Sequence, residues 1–160
     1  MDHIGEGSYC QVLLVSNLKQ TKLYAAKVMK SDSNIVNQVG TNERKILKGL
    51  NTLESNLRKG SNSLPNLKTK AYPKIVKLKD YFELFQPEKS PKCPEIKHVV
   101  LIFERLELSL LELIESMDYR GMSIWMIQKF ALYLVEALTI LKCSRVTHCD
   151  IKPENIMLEK

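Results

Sequence analysis

The chain has 160 residues, of which 44% are apolar and 26% are charged, with a formal net charge of +6. This composition is typical of a folded globular unit and excludes a collagen-like, a disulfide-scaffold and a largely disordered protein. The first residues lack the charged and apolar regions of a signal peptide. The longest unbroken apolar run has six residues, 130–135, which is too short to cross a bilayer, so we expect no membrane partner.

The four cysteines, Cys10, Cys93, Cys143 and Cys149, follow no regular spacing. Free thiols are typical of reducing compartments, so we expect an intracellular protein, cytoplasmic or nuclear. Cys143, His148 and Cys149 are conceivable zinc ligands, but the sequence offers no second ligand pair to complete a tetrahedral site.

The front half of the chain predicts strands around one helix. Two β-like runs, 10–16 and 23–29, flank a polar segment and predict an antiparallel hairpin. Residues 36–50 predict a helix, because apolar side chains recur there at helical spacing: Val36, Val39, Ile46, Leu47 and Leu50. Residues 51–74 contain several Gly, Ser and Pro residues and predict a long irregular insertion.

The back half predicts two more strands and then helices. The strand candidates are residues 75–84 and 97–104, and a short helix is expected over 109–117. Ser123 can cap a longer helix, up to residue 143, whose apolar face comprises Ile127, Phe130, Ala131, Leu134, Leu138 and Leu141. This order of elements predicts an α+β domain with a sheet-rich front lobe.

A basic stretch of 22 residues without Asp or Glu contains Arg58, Lys59, Lys68, Lys70, Lys74, Lys77 and Lys79. Its ordinary interpretation is a solvated basic loop, and its functional interpretation is a docking patch for an acidic partner. Tyr72 is the one aromatic residue inside it, so base stacking is not supported and we expect no specific nucleic-acid binding.

A glycine-rich turn, residues 4–12 (IGEGSYCQV), leads into the first predicted strand. Glycines let backbone N–H groups approach phosphate oxygens, because no Cβ stands in the way. A dinucleotide fingerprint would be followed by a helix, and here Cys10 stands in place of its third glycine. The turn therefore fits either a phosphate-binding loop or an ordinary hairpin turn.

Lys27 and Glu43 form a candidate ion pair. Lys27 and Ala25 point to the same face of the 23–29 strand, and the small Ala25 leaves room for a flat base. Glu43 falls on the apolar stripe of the 36–50 helix, where a carboxylate is costly unless it is paired. We therefore predict a Lys27–Glu43 pair with N and O roughly 3–4 Å apart. The alternative is that Glu43 lies at the edge of the stripe and reaches water.

The strongest motif is the string THCDIKPENIML at residues 147–158, which places polar residues between an apolar helix and a short apolar strand. Plain packing would not need polar side chains there. Asp150 can accept a hydroxyl proton, Lys152 can neutralise a transferring phosphoryl group, and Asn155 offers an oxygen to Mg²⁺.

Together these motifs resemble the signature set of the eukaryotic-type protein kinases, in the same order along the chain. The Lys-Pro-Glu-Asn string looks like the serine/threonine type. His148-Cys149-Asp150 and residues 99–106 (VVLIFERL) resemble the DYRK family of dual-specificity kinases. The resemblance covers nearly the whole chain apart from residues 51–74.

The resemblance implies an ATP site whose cofactors are ATP and Mg²⁺. The glycine loop over the phosphates would comprise Ile4, Gly5, Glu6, Gly7 and Ser8. The residues implied around the adenine are Val12, Ala25, Phe103 as the gatekeeper, Glu104 and Leu106 through their backbones, and Met157. The remaining implied roles concern the phosphates and the chemistry: Lys27 locked by Glu43, Asp150 and Lys152 as catalytic residues, and Asn155 as metal ligand.

The resemblance also implies a kinase-like fold in two lobes. Residues 1–106 would be the N-terminal lobe, an antiparallel sheet with one helix and the basic insertion 51–74. Residues 107–160 would be the truncated start of the helical C-terminal lobe. Cys149 stands where many kinases have Arg, a departure that DYRK-like kinases share.

The function implied is phosphorylation of Ser/Thr, with dual specificity as a further possibility, on protein substrates. The Asp-Phe-Gly segment, which carries the principal Mg²⁺ ligand, does not occur before Lys160, so we expect this chain alone to be inactive. The alternative is a noncatalytic nucleotide-binding or regulatory fragment that acts through protein partners.

Overall fold

The computed structural model of the chain describes residues 2–18, 22–30, 34–58, 75–86 and 96–158. These residues form two compact units. The first lies within Met1–Ser55 and Val76–Arg105, and the second within Asn56–Ile75 and Leu106–Lys160.

The first unit contains a five-stranded sheet in the order β1-β2-β3-β5-β4. Its strands are β1 (Asp2–Glu6), β2 (Cys10–Ser16), β3 (Leu23–Met29), β4 (Leu78–Gln86) and β5 (Ile96–Glu104). Every neighbouring pair is antiparallel, which confirms the predicted sheet and the hairpin of β2 with β3. The sequence did not predict β1, because its five residues include a glycine and have no alternating apolar pattern.

Helix α1 (Asn34–Arg58) packs against this sheet. The core between them comprises Met29, Val36, Leu47, Val99, Leu101 and Phe103. The helix extends beyond the predicted 36–50, so residues 51–58 are helical and do not belong to an irregular insertion. Residues 59–74 of that predicted insertion lie outside the described residues.

The buried side of α1 differs from the predicted stripe. Val39 and Ile46 are 44% and 45% exposed, whereas Val36 and Leu47 are buried. Gly40 is buried as well, on the same helical face as Val36 and Leu47. The hydrophobic pattern could not indicate Gly40, because a residue without a side chain carries no hydrophobic signal.

The second unit contains short elements followed by one long helix. They are β6 (Leu108–Ser109), α2 (Leu110–Ser116), α3 (Ile124–Cys143), a 3₁₀ turn (Pro153–Asn155) and β7 (Met157–Leu158), with β6 and β7 paired antiparallel. Helix α2 begins with a capping box, in which Ser109 Oγ accepts from Glu112 N–H at 3.1 Å and Glu112 Oε2 accepts from Ser109 N–H at 2.6 Å. Ser123 caps α3 by accepting from Met126 N–H at 3.3 Å, as predicted.

Helix α3 buries Ala137, Ile140 and Leu141, of which Leu141 belongs to the predicted apolar face. Ile127 and Leu138 of that face are 48% and 38% exposed. Among the described residues, α3 is also the one helix long and apolar enough to cross a bilayer, judged by length and composition alone. One such helix is weak evidence for a membrane span, because core helices of soluble domains meet the same criterion.

Candidate functional site

The glycine-rich turn connects β1 to β2. Gly7 N–H donates to Cys10 C=O at 2.9 Å and closes the turn. A Cβ on Gly7 would lie 3.4 Å from Cys10 Sγ, and a Cβ on Gly5 would lie 3.7 Å from Val12 Cβ, both ordinary contacts. Ile4 and Ser8 are exposed. The geometry is that of a hairpin turn, and its role as a phosphate loop stays a prediction.

Lys30, which sequence reasoning did not single out, holds this turn at two points. Its ammonium lies 2.7 Å from Glu6 Oε1, and its backbone N–H donates to Tyr9 C=O at 2.8 Å. The hydrogen bond from Lys30 lowers the pKa of Glu6 below its ordinary value, and the positive charge of Lys30 acts in the same direction.

Strand register brings four predicted site residues onto one face of the sheet. Val12 is paired with Lys27, and Ala25 is paired with Phe103. Ala25 and Lys27 share a face because they are two residues apart in β3. Ala25 and Phe103 contact the core between the sheet and α1, so this face is the one that α1 covers.

Lys27 and Glu43 form the predicted ion pair. The Lys27 ammonium lies 2.7 Å from Glu43 Oε1 and 2.8 Å from Oε2, closer than predicted. Their side chains are 27% and 30% exposed, so Glu43 is half-buried and does not turn to water. A carboxylate that accepts through both oxygens restricts where the ammonium can lie.

Glu104, at the end of β5, uses its side chain to bind the start of β4. Its Oε1 accepts from the backbone N–H of Lys77 at 3.1 Å, and its Oε2 lies 3.1 Å from the Lys79 ammonium. The sequence had suggested a role for its backbone alone. Lys79, one of the seven residues of the basic stretch, is therefore already engaged in an ion pair. Leu106 follows β5 in the next unit and is half-buried.

In the second unit, Asp150, Lys152 and Asn155 lie together. Asp150 Oδ2 accepts from the Asn155 amide at 2.9 Å and lies 3.1 Å from the Lys152 ammonium. The Asn155 amide also donates to the backbone C=O of Asp150 at 2.8 Å. The hydrogen bond from Lys152, followed by that from Asn155, lowers the pKa of Asp150 below its ordinary value.

Cys149, the residue before Asp150, has a φ of 67°, in the left-handed region that non-glycine residues rarely adopt. Such strained conformations cluster at functional sites. Met157, the predicted adenine contact in this unit, lies in β7 opposite Ser109 and is 43% exposed.

Within the described parts of the chain, no three His, Cys, Asp or Glu side chains are grouped in a way that could hold a metal ion. Cys143, His148 and Cys149 are therefore not brought together as a zinc site. For Mg²⁺, the Asn155 amide oxygen is a hard oxygen donor, the kind that this ion prefers. This donor fits part of a magnesium site.

The predicted site residues thus fall into two groups, one in each unit. The first group contains the glycine turn, the shared sheet face and the Lys27–Glu43 pair, and the second contains the Asp150 cluster. An antiparallel sheet with a lysine–glutamate pair, together with an Asp-x-Lys-x-x-Asn loop, defines the class of protein kinases.

Comparison with known proteins places the chain in a family. The protein kinase domain model matches residues 1–160, so the chain belongs to the protein kinase family. A crystal structure of a kinase domain is similar with a TM-score of 0.74 and 28% identity, over all of this chain and 39% of that one.

Relatives within the family include DYRK and YAK1 kinases, of which the sequence motifs had indicated the DYRK family. Serine/threonine-protein kinase ppk15 of Schizosaccharomyces pombe is 31% identical over 99% of this chain and 25% of its own length. Dual specificity protein kinase YAK1 of Saccharomyces cerevisiae is 32% identical over 99% of this chain and 16% of its own length. Human dual specificity tyrosine-phosphorylation-regulated kinase 4 is 28% identical over 99% of this chain and 25% of its own length. The chain therefore spans a quarter or less of these relatives.

Proposed function

We propose that the full-length gene product transfers the γ-phosphate of ATP to Ser or Thr hydroxyls of protein substrates. The observation that carries this proposal is the Asp150 carboxylate, which Lys152 and Asn155 hold by contacts of 3.1 Å and 2.9 Å. The names of the relatives, which include serine/threonine and dual specificity kinases, support the same reaction class.

Asp150 is suited to orient a substrate hydroxyl. Its lowered pKa keeps the carboxylate ionised, so it accepts a hydrogen bond from the hydroxyl and is a weak base. Phosphoryl transfer does not require a strong base, because its catalysis consists mostly of positioning and electrostatic stabilisation. Lys152, beside Asp150, supplies positive charge near the transferring phosphoryl group.

The Lys27–Glu43 pair is suited to the nucleotide phosphates. Glu43 restrains the ammonium, and Lys27 then contacts the α- and β-phosphates with little loss of side-chain freedom. Asn155 would contribute its amide oxygen as a ligand to Mg²⁺. The ion, when bound, would neutralise part of the phosphate charge.

The test is transfer of labelled γ-phosphate from ATP to casein by the full-length gene product. We expect Asp150→Asn to reduce turnover by about 10²-fold or more and to leave ATP affinity nearly unchanged. Glu154→Gln, which neutralises an exposed carboxylate in the same loop, is the matched control and should retain activity. Hydrolysis of the labelled product distinguishes Ser/Thr from Tyr phosphorylation. Equal activity of Asp150→Asn and the unmodified protein would contradict the proposal.

A noncatalytic nucleotide-binding role is the second candidate. It is favoured by the fact that the Lys27–Glu43 pair forms entirely within the first unit, independently of the catalytic loop. This role predicts that ATP binding depends on Lys27 and that the transfer assay shows no phosphate transfer that depends on Asp150.

Two further parts of the proposal concern partners and location. An acidic partner would dock on the part of the basic stretch that excludes Lys79, since Lys79 already pairs with Glu104. An intracellular location is supported by Cys10, Cys143 and Cys149, which are free thiols.

A further inference from the structure

Gly40 lies where α1 packs closely on the sheet. A Cβ built on it would lie 2.8 Å from Met29 Cγ and 3.2 Å from Val99 Cγ1. Met29 and Val99 are 1% and 2% exposed, so neither can move out into solvent. A side chain at this position would therefore displace these core residues or push α1 away from β3 and β5.

The helix is also bound to the sheet on both sides of Gly40. The Asn37 amide donates to Lys97 C=O of β5 at 3.0 Å, and the Asn51 amide donates to Leu78 C=O of β4 at 2.6 Å. These bonds hold the two ends of the packed segment. Gly40 lies between them, three residues after Asn37 and eleven before Asn51, and the size of residue 40 limits how closely the helix approaches the sheet there.

Glu43 follows Gly40 by three residues, which places it on the same face, less than one helical turn away. Both Glu43 oxygens lie within 2.8 Å of the Lys27 ammonium, so a shift of the helix by a few tenths of an ångström lengthens both contacts. Lys27 is itself two residues from Met29 on β3. Strand β3 thus carries both Met29, which limits the approach of α1, and Lys27, whose ion pair depends on that approach.

We propose that Gly40 is a positioning residue for the Lys27–Glu43 pair. Its lack of a side chain lets α1 approach the sheet closely enough for Glu43 to hold the ammonium. Glycine is otherwise unfavourable inside a helix, so its benefit at this position is the close packing. This inference rests on the proposed role of Lys27 in binding nucleotide phosphates.

Gly49 provides a matched control in the same helix. It is exposed, and a Cβ built on it would have no atom within 4 Å. Gly49→Ala therefore tests the general effect of replacing a helical glycine, and it should leave activity unchanged with equal or higher stability.

The experiment compares Gly40→Ala and Gly49→Ala in the full-length gene product, by calorimetric titration with ATP and by phosphate transfer. Gly40→Ala is expected to lower ATP affinity or turnover by about 10-fold, the effect of losing one well-placed charged contact. In a Glu43→Gln background the same substitution should have much less effect, because the pair on which it acts is already weakened. A similar loss in both backgrounds, or no loss in either, overturns the proposal.

Met29→Ala keeps the test decisive if Gly40→Ala does not fold. Removing the Met29 side chain takes away the atom nearest to the new Cβ and leaves the Val99 contact at 3.2 Å, so Gly40→Ala should lose less ATP affinity in a Met29→Ala background than in the unmodified protein. An equal or larger loss there would contradict the proposal. Lys27→Met separates the role of Lys27 from that of Gly40. If Lys27→Met leaves both ATP affinity and phosphate transfer unchanged, the proposed role of Lys27 fails. An unchanged Gly40→Ala together with an impaired Lys27→Met overturns only the role of Gly40.

Discussion

Asn155 is bonded to Asp150 at two points, because its amide nitrogen donates both to the backbone C=O and to the carboxylate of Asp150. The six residues 150–155 therefore form a closed loop. The carboxylate direction is fixed by the same side chain that would offer an oxygen to a metal ion. Substitutions of Asn155 consequently affect both the orientation of Asp150 and the binding of a metal ion. The pKa of Asp150 reports only on the contact between Asn155 and Asp150.

We expect the pKa of Asp150 to be below its ordinary value and to rise in Lys152→Met and in Asn155→Ala. The reason is that both partners bind the ionised form. Because the folded-state pKa is the lower one, these contacts stabilise the loop above the ordinary aspartate pKa. The stabilisation is lost as the pH falls through the folded value. An NMR titration of the Asp150 carboxyl in the unmodified protein and in both variants measures this, and an unchanged pKa in both variants would refute the assignment.

The Lys27–Glu43 pair should matter more for turnover than for stability. We expect Glu43→Gln to lower kcat/KM for ATP by about 10-fold or more, since the amide holds the ammonium less firmly. The unfolding temperature should change little, because both side chains are partly exposed. Steady-state kinetics and thermal unfolding give the two values. Lys45→Gln, an exposed substitution on the same helix, should match the unmodified protein in both.

Lys30 should influence nucleotide affinity through the glycine turn. We expect Lys30→Met to raise KM for ATP by about two- to fivefold with kcat nearly unchanged, because an exposed ion pair contributes little. The depressed pKa of Glu6 means that the pair persists above the ordinary glutamate pKa and is lost as the pH falls through the folded value. The charge-exchanged double variant Glu6→Lys, Lys30→Glu should recover part of the affinity. A change confined to kcat would show that Lys30 acts elsewhere.

Cys149 should tolerate glycine better than a β-branched residue. Its φ of 67° is unfavourable for any side chain and most unfavourable for a branched one. We expect Cys149→Val to lower the free energy of unfolding by roughly 1–2 kcal/mol relative to Cys149→Gly. Chemical denaturation of both variants provides the comparison. Cys143→Val in helix α3 is the control and should show no comparable loss.

The local features of this protein were determined by its sequence. Strands β2, β3 and β5 and the capped start of α3 lie close to where periodicity and capping residues predict them. The Lys27–Glu43 pair was also predictable, since an acidic residue on an apolar helical face needs a partner. These inferences succeed because they depend on spacing along the chain, which repeats at two residues in a strand and 3.6 in a helix.

Tertiary structure decided the contacts that join distant parts of the chain. Lys30 and Glu6 are 24 residues apart, and Lys77 and Glu104 are 27 apart, so their pairing depends on how the strands align. The buried face of α1 was likewise mispredicted at Val39 and Ile46, because the face that packs on the sheet includes Gly40. A hydrophobic pattern can indicate only residues that have side chains, whereas α1 packs closely on the sheet at a residue that has none. This packing arises only when the helix and the sheet come together in the folded protein.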